Sequence, residues 1–295
     1  MNKHIKGFRF SKLVVIQSLT SHEVPTGRIL GEFISTLDSF VEKNLSFEIQ
    51  NCLTKDSLVH LLRTYIQEAK ESGSYPILHF ECHGMAYGEG LALANDENIT
   101  WPELALLLID LNVACAFNLF VFFAACDAAY FIEEMNANKP SPVYSIVAPS
   151  DKVNPSKLMR AGRIYYSELF STTNADQALR ALKREKLECG QWFGLTAEQW
   201  FEEVVTGYVK DYCSAEAITE RARCLYQEQK RNGGGASVGS IKRALSRKHS
   251  SFVDEYFQKC FFTHDIPKNT ERFSDLKRRV ERQAKAVLSQ PRYKL

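Results

Sequence analysis

The sequence lacks paired cysteines, long apolar runs, internal repeats and any strong excess of one charge. Its eight cysteines (52, 82, 115, 126, 189, 213, 224 and 260) are scattered, and none form a CxxC pair. That spacing argues against zinc and dithiol motifs, so no metal or other cofactor is expected. The longest apolar run, FNLFVFFAAC, reaches only about half of a membrane span. The apolar stretch within the opening MNKHIKGFRFSKLVVIQSL is too short for the core of a secretory leader. These features predict a cytoplasmic protein with reduced thiols and no membrane partner. A formal net charge of +2 gives no whole-chain argument for nucleic acid.

Composition is otherwise that of a globular protein, 45% apolar and 24% charged. A length of 295 residues suffices for one large core, or for a core with a smaller appendage. Charge is unevenly spread: residues 239–295 carry 14 Lys/Arg against 6 Asp/Glu. That basic end reads either as a nucleic-acid surface, testable at Lys277, Arg278 and Arg279, or as solvated helix faces.

Short apolar runs alternate with helical patterns over the first two-thirds of the chain. Strands are predicted over 12–19, 46–53, 76–84, 118–126 and 143–150. Between them, Ile29, Leu30, Phe33, Ile34 and Leu37 give a helix over 27–43. Leu58, Leu61, Leu62, Tyr65 and Ile66 recur at helical spacing over 55–73, with Gly73 as the stop. A hairpin is expected around GLALANDENIT, turning at Asn95 and Asp96. It leads into a helix capped by Thr100, with Pro102 just inside. Helices near 155–170 and 175–187 follow, the second opened by Asn174 or Asp176. This alternation predicts an α/β domain with a mostly parallel sheet and helices on both faces. After about residue 190 only helices are expected, interrupted at GGGASVGS (233–240). The predicted division is therefore a domain over 1–190 and a helical appendage over 191–295. Residues 231–241 read as a linker or as an autoprocessing loop.

In open parallel sheets, reacting groups gather beyond the carboxyl ends of the strands. The third strand ends at His83-Gly84 and the next long one at Cys126-Asp127. A single crossover separates them, so they are expected to be neighbours, roughly 4.8 Å apart. An imidazole there can take a thiol proton and later protonate a leaving amine. The backbone N–H groups of Gly84 and Cys126 are candidate donors to a developing oxyanion, since glycine lets substrate approach closely.

The ordered set ILHFECHG, GLALANDENITWPELALLL and NLFVFFAACDAA resembles the caspase-like cysteine peptidases, and most of all their CHAT subgroup related to separase. Those proteins carry a strand ending in His-Gly, a short hairpin with an L-x-L strand, a helix, then a strand ending in the nucleophilic Cys. The later VYSIVAPSDKVNPSKLMRAGRIYYSELFSTTNADQALRALKRE is similar to the same family, so the resemblance spans residues 12–188. It implies that His83 is the general base and Cys126 the nucleophile, with Gly84 in the oxyanion hole. The implied activity is regulated endopeptidase cleavage without metal, on a protein or peptide substrate. By analogy it implies a prokaryotic antiviral or stress-response setting. No pro-segment is evident, so control by a partner protein or by conformation is expected. A catalytically silent scaffold and a nucleic-acid-responsive effector are the alternatives.

The chain departs from its relatives at two places. Asp127 follows the Cys where caspases have a basic residue, and Ala124 stands where basic-specific relatives have an Asp. Asp127 can orient His83, bind a basic substrate side chain or cap the next segment, and Asp151 is a similar case. Cys82 points opposite to His83 on a strand and is expected in the core. His79 and Glu81 share the face of His83 deeper in the strand, and Glu81 orients the imidazole, forms a buried pair or makes a sheet-edge contact. His22, in the loop after the first strand, is a candidate for the cleft wall. Cys52 and Cys115 are expected to pack.

Overall fold

A computed structural model describes residues 8–136, 139–185, 187 and 191–293. Cys189 and the expected boundary at residue 190 lie outside them. In chain order the first elements are β1 (Lys12–Gln17), α1 (Thr26–Ile34), α2 (Asp38–Glu42), β2 (Ser46–Asn51), α3 (Lys55–Ser72) and β3 (Pro76–Glu81). Then come β4 (His83–Gly84), β5 (Gly90–Ala92), β6 (Asn98–Thr100), α4 (Trp101–Ala114) and β7 (Phe120–Ala124). β8 (Ser145–Pro149), α5 (Pro155–Thr172), α6 (Ala175–Arg184) and β9 (Trp192–Thr196) complete the sheet and its flanking helices.

Six strands form one sheet in the order β2-β1-β3-β7-β8-β9. All neighbours are parallel except β9, which runs antiparallel to β8. β7 is buried at every residue, as its unbroken apolar run requires of a strand covered on both faces. One face carries Leu13, Ile77, Phe120 and Phe122 against Leu30 of α1 and Tyr165, Tyr166 and Phe170 of α5. On the other face α3 packs beside α4. The order places β1 and β3 side by side while their connections leave in opposite directions, which makes their carboxyl ends the switch point of the sheet. A second, antiparallel sheet, β4-β5-β6, rises there.

Local chemistry sets the element ends. Thr54 Oγ1 accepts from the Ser57 N–H at 3.1 Å to open α3, and Gly73 closes it at φ 67°. The predicted 27–43 helix is broken, because Ser35 and Thr36 hydroxyls donate back to the carbonyls of Gly31 and Phe33. Asn174, rather than Asp176, caps α6, its side chain accepting from the Gln177 N–H at 3.0 Å.

The expected helices-only region also requires correction: residues 192–196 are a strand. Gly194 lets the edge of the sheet approach Leu179 of α6, where a Cβ would overlap its side chain. The described residues divide into two compact units, one within Met1–Asn136 and Ser141–Thr196 and the other drawn mainly from Ala197–Leu295. The division therefore falls after β9. The second unit contains α7 (Ala197–Tyr212), α8 (Ala215–Arg231), α9 (Val238–Cys260), α10 (Lys268–Arg272) and α11 (Ser274–Leu288). Ser237 caps α9 by accepting from the Ser240 N–H at 3.2 Å, so the last three residues of the predicted glycine-rich break, 238–240, are helix. Phe201, Tyr256, Phe257 and Phe261 are buried together, so the aromatic stretches here are core. No helix among the described residues is long and apolar enough to cross a membrane.

Candidate active site

β3 and β7 pair in parallel with Glu81 opposite Ala124. His83 and Cys126 each lie two residues beyond that matched pair, so the register itself carries them to neighbouring positions at the sheet's carboxyl edge. Gly84 makes the approach possible. A Cβ there would overlap the Cys126 carbonyl oxygen and lie 3.0 Å from its carbon. Met85 donates its N–H to the Gly90 carbonyl at 2.9 Å, making that the bonded pair of the hairpin. By the alternation of antiparallel ladders, Gly84 and Leu91 form the non-bonded pair, so the Gly84 N–H is turned away from β5.

One cavity of about 310 Å³ is lined by both His83 and Cys126. The segment after β1 supplies Leu19, His22, Glu23 and Val24, and β3 and β7 supply residues 81–83 and 124–126. Val153 and Leu158 close the far side. That volume is at the small end of ligand sites, roughly 300–1,000 Å³. His22 thus lines the cleft, whereas Asp127 and Asp151 are not among the lining residues.

The imidazole and the thiol hold separate partners. His83 Nε2 lies 2.5 Å from Glu23 Oε1, with the His83 side chain 60% exposed. Cys126 Sγ accepts from the Val153 N–H at 3.4 Å and faces the Val153 carbonyl at 3.7 Å. Burial alone would push Glu23 up. The N–H and hydroxyl of Thr20, joined by His83, outweigh it and hold the carboxyl below its ordinary range. Sequence reasoning passed over Glu23, Thr20 and Val153. Thr20 and Glu23 carry a T-x-x-E spacing in the loop that His22 already marked, which is the signal that could have found them.

Beneath the cleft, Glu81 forms a buried pair, one of its three readings. Its Oε1 lies 3.2 Å from His79 Nε2, and its Oε2 accepts a short hydrogen bond from the Thr26 hydroxyl. His79 Nδ1 meets the Tyr166 hydroxyl at 2.9 Å. The carboxylate against His83 is therefore Glu23.

Cys82 is buried, and burial raises its thiol pKa well above the ordinary value. Cys52 and Cys115 are likewise buried. Asp127 adopts φ 57° and its side chain caps nothing, while its N–H reaches the Asp151 carbonyl at 3.4 Å. Asp151 Oδ2 accepts from the Ser150 hydroxyl at 3.2 Å. Among the described residues no cluster of three His, Cys, Asp or Glu side chains is arranged to hold a metal ion. In the second unit, Lys277 pairs with Asp254, Arg278 with Asp275 at 2.5 Å and Arg279 with Glu202 at 2.9 Å. Compared with family models and with curated proteins, the chain matches none.

Proposed function

We propose that the protein is a caspase-like cysteine endopeptidase with Cys126 as nucleophile and His83 as general acid–base. The observation that carries the reading is the fit of Gly84 onto the Cys126 carbonyl, which sets both side chains in one cleft. A cysteine thiol of ordinary acidity is mostly protonated at neutral pH and needs a base. In the proposed cycle, His83 takes the Cys126 proton and the thiolate adds to the scissile carbonyl carbon. The carbonyl electron pair moves to oxygen, which the backbone N–H groups of Gly84 and Cys126 stabilise. Collapse breaks the C–N bond as His83 gives its proton to the amine, leaving a thioester. Water, deprotonated by His83, then hydrolyses the thioester and restores the thiol.

Within this reading the substrate is a protein segment laid across the cleft in the cytoplasm. A protein partner controls access, and a prokaryotic defence or stress response is the setting. N-terminal mapping of a host proteome after expressing wild type, Cys126→Ala or His83→Ala tests it. New N-termini present with wild type and absent with both variants are expected; identical maps would remove the claim. A catalytically silent scaffold is the second reading, favoured by the separate partners that the imidazole and thiol hold.

A further inference from the structure

The turn after β1 holds its carboxylate with unusual completeness for an exposed loop. Glu23 Oε2 accepts from both the N–H and the hydroxyl of Thr20, at 2.7 and 2.9 Å. The Glu23 N–H returns to the Thr20 carbonyl at 3.2 Å. The carboxylate on the Thr20 N–H is one half of a helix-start capping box, the Glu23 N–H going to the Thr20 carbonyl in place of its hydroxyl, and Pro25 keeps the chain from continuing as a helix at Val24. With Oε2 occupied, Oε1 is left to face His83 Nε2.

We propose that Glu23 is the positioning residue of His83: it holds Nε2 as the protonated nitrogen, leaves Nδ1 as the base toward Cys126, and stabilises the imidazolium. The inference rests on the reading of Cys126 and His83 as a catalytic pair. A carboxylate on one ring nitrogen selects the tautomer and favours the charged ring. Because His83 is 60% exposed, solvent screens the pair, and the effect is modest.

The test reads iodoacetamide alkylation of Cys126 in the full-length protein by peptide mass spectrometry, with exposed Cys224 as internal reference. Rates are taken at pH 7 and pH 9.5 and expressed as their ratio. At the higher pH an ordinary thiol is ionised without help, whereas at pH 7 the thiolate depends on the imidazolium. The other titratable groups at the cleft are His22, Glu81 and Cys82, all retained in each variant. Glu23→Gln lowers the pH 7 to pH 9.5 ratio about threefold, the scale of a solvent-exposed ion pair. Glu23→Asp recovers part of it, and His83→Ala lowers it at least as far. In the His83→Ala background, Glu23→Gln adds nothing. A ratio unchanged or raised by Glu23→Gln, while His83→Ala lowers it, overturns the role of Glu23 alone. A ratio unchanged by His83→Ala overturns the catalytic pair and this inference with it.

Discussion

At Gly84 one added methyl group would meet backbone rather than a yielding side chain. Its Cβ would press on the Cys126 carbonyl, so either the β4 hairpin or the peptide of Cys126 must move. Gly84→Ala is therefore expected to reduce turnover at least about a hundredfold, the cost of a displacement near 1 Å at a catalytic group. Circular dichroism should be unchanged; full activity would show that the approach is not required. Thiol accessibility gives a second prediction. Burial pushes Cys115 up to about 12 and Cys213 up to about 11. Native alkylation at pH 7 should therefore spare them, with Cys82, while modifying Cys126 and Cys224. The same scale explains what is legible from residues alone. His83 and Cys126 can be read because each ends an apolar run. Glu23 is harder to read because it is held in a turn whose partner, Thr20, has no apolar periodicity around it. The lowered Glu23 pKa also sets a sign. Its ties to Thr20 and His83 are fully made above the usual carboxylate range and are lost as pH falls through the lowered value. Protection of the Thr20 amide, its exchange rate taken against the intrinsic rate at the same pH, should therefore fall on acidification, and Glu23→Gln should remove that change.

Among the elements, β7 is buried at every residue. Phe122 is fully buried and its ring lies 4.8 Å from His79, 5.6 Å from Tyr166 and 5.5 Å from Trp192. Phe122→Ala should cost about 3–5 kcal/mol in denaturant melts, and a loss under 1 kcal/mol would contradict this packing. Thr26→Val removes the hydroxyl from the buried Glu81 carboxylate. It should cost roughly 1–3 kcal/mol, because both groups are withdrawn from water. Element type is readable wherever an apolar run or a cap announces it, as at β3, β7, α3 and α4. β9 escapes because WFGLT is short, half-exposed in part and continuous with a helical pattern, so nothing local separates it from α7. The break between α1 and α2 escapes for another reason: Ile34 and Leu37 keep helical spacing across hydroxyl side chains that have already taken the backbone carbonyls.

At the scale of the molecule, charge and topology divide the argument. The parallel order puts the switch point between β1 and β3, and that is where the cleft opens. The basic excess lies in the other unit, where Lys277, Arg278 and Arg279 already have carboxylate partners. Neutralising all three to Gln should leave affinity for DNA or RNA unchanged in a salt titration. A loss of salt-dependent binding would support the nucleic-acid reading. The central claim concerns Cys126 itself. Its most direct test is the intact mass of the full-length protein after exposure to a peptidyl acyloxymethyl ketone. The account predicts one adduct on Cys126 in wild type, and none in either Cys126→Ala or His83→Ala. Equal labelling of Cys126 in wild type and His83→Ala, or no labelling of wild type, would contradict it.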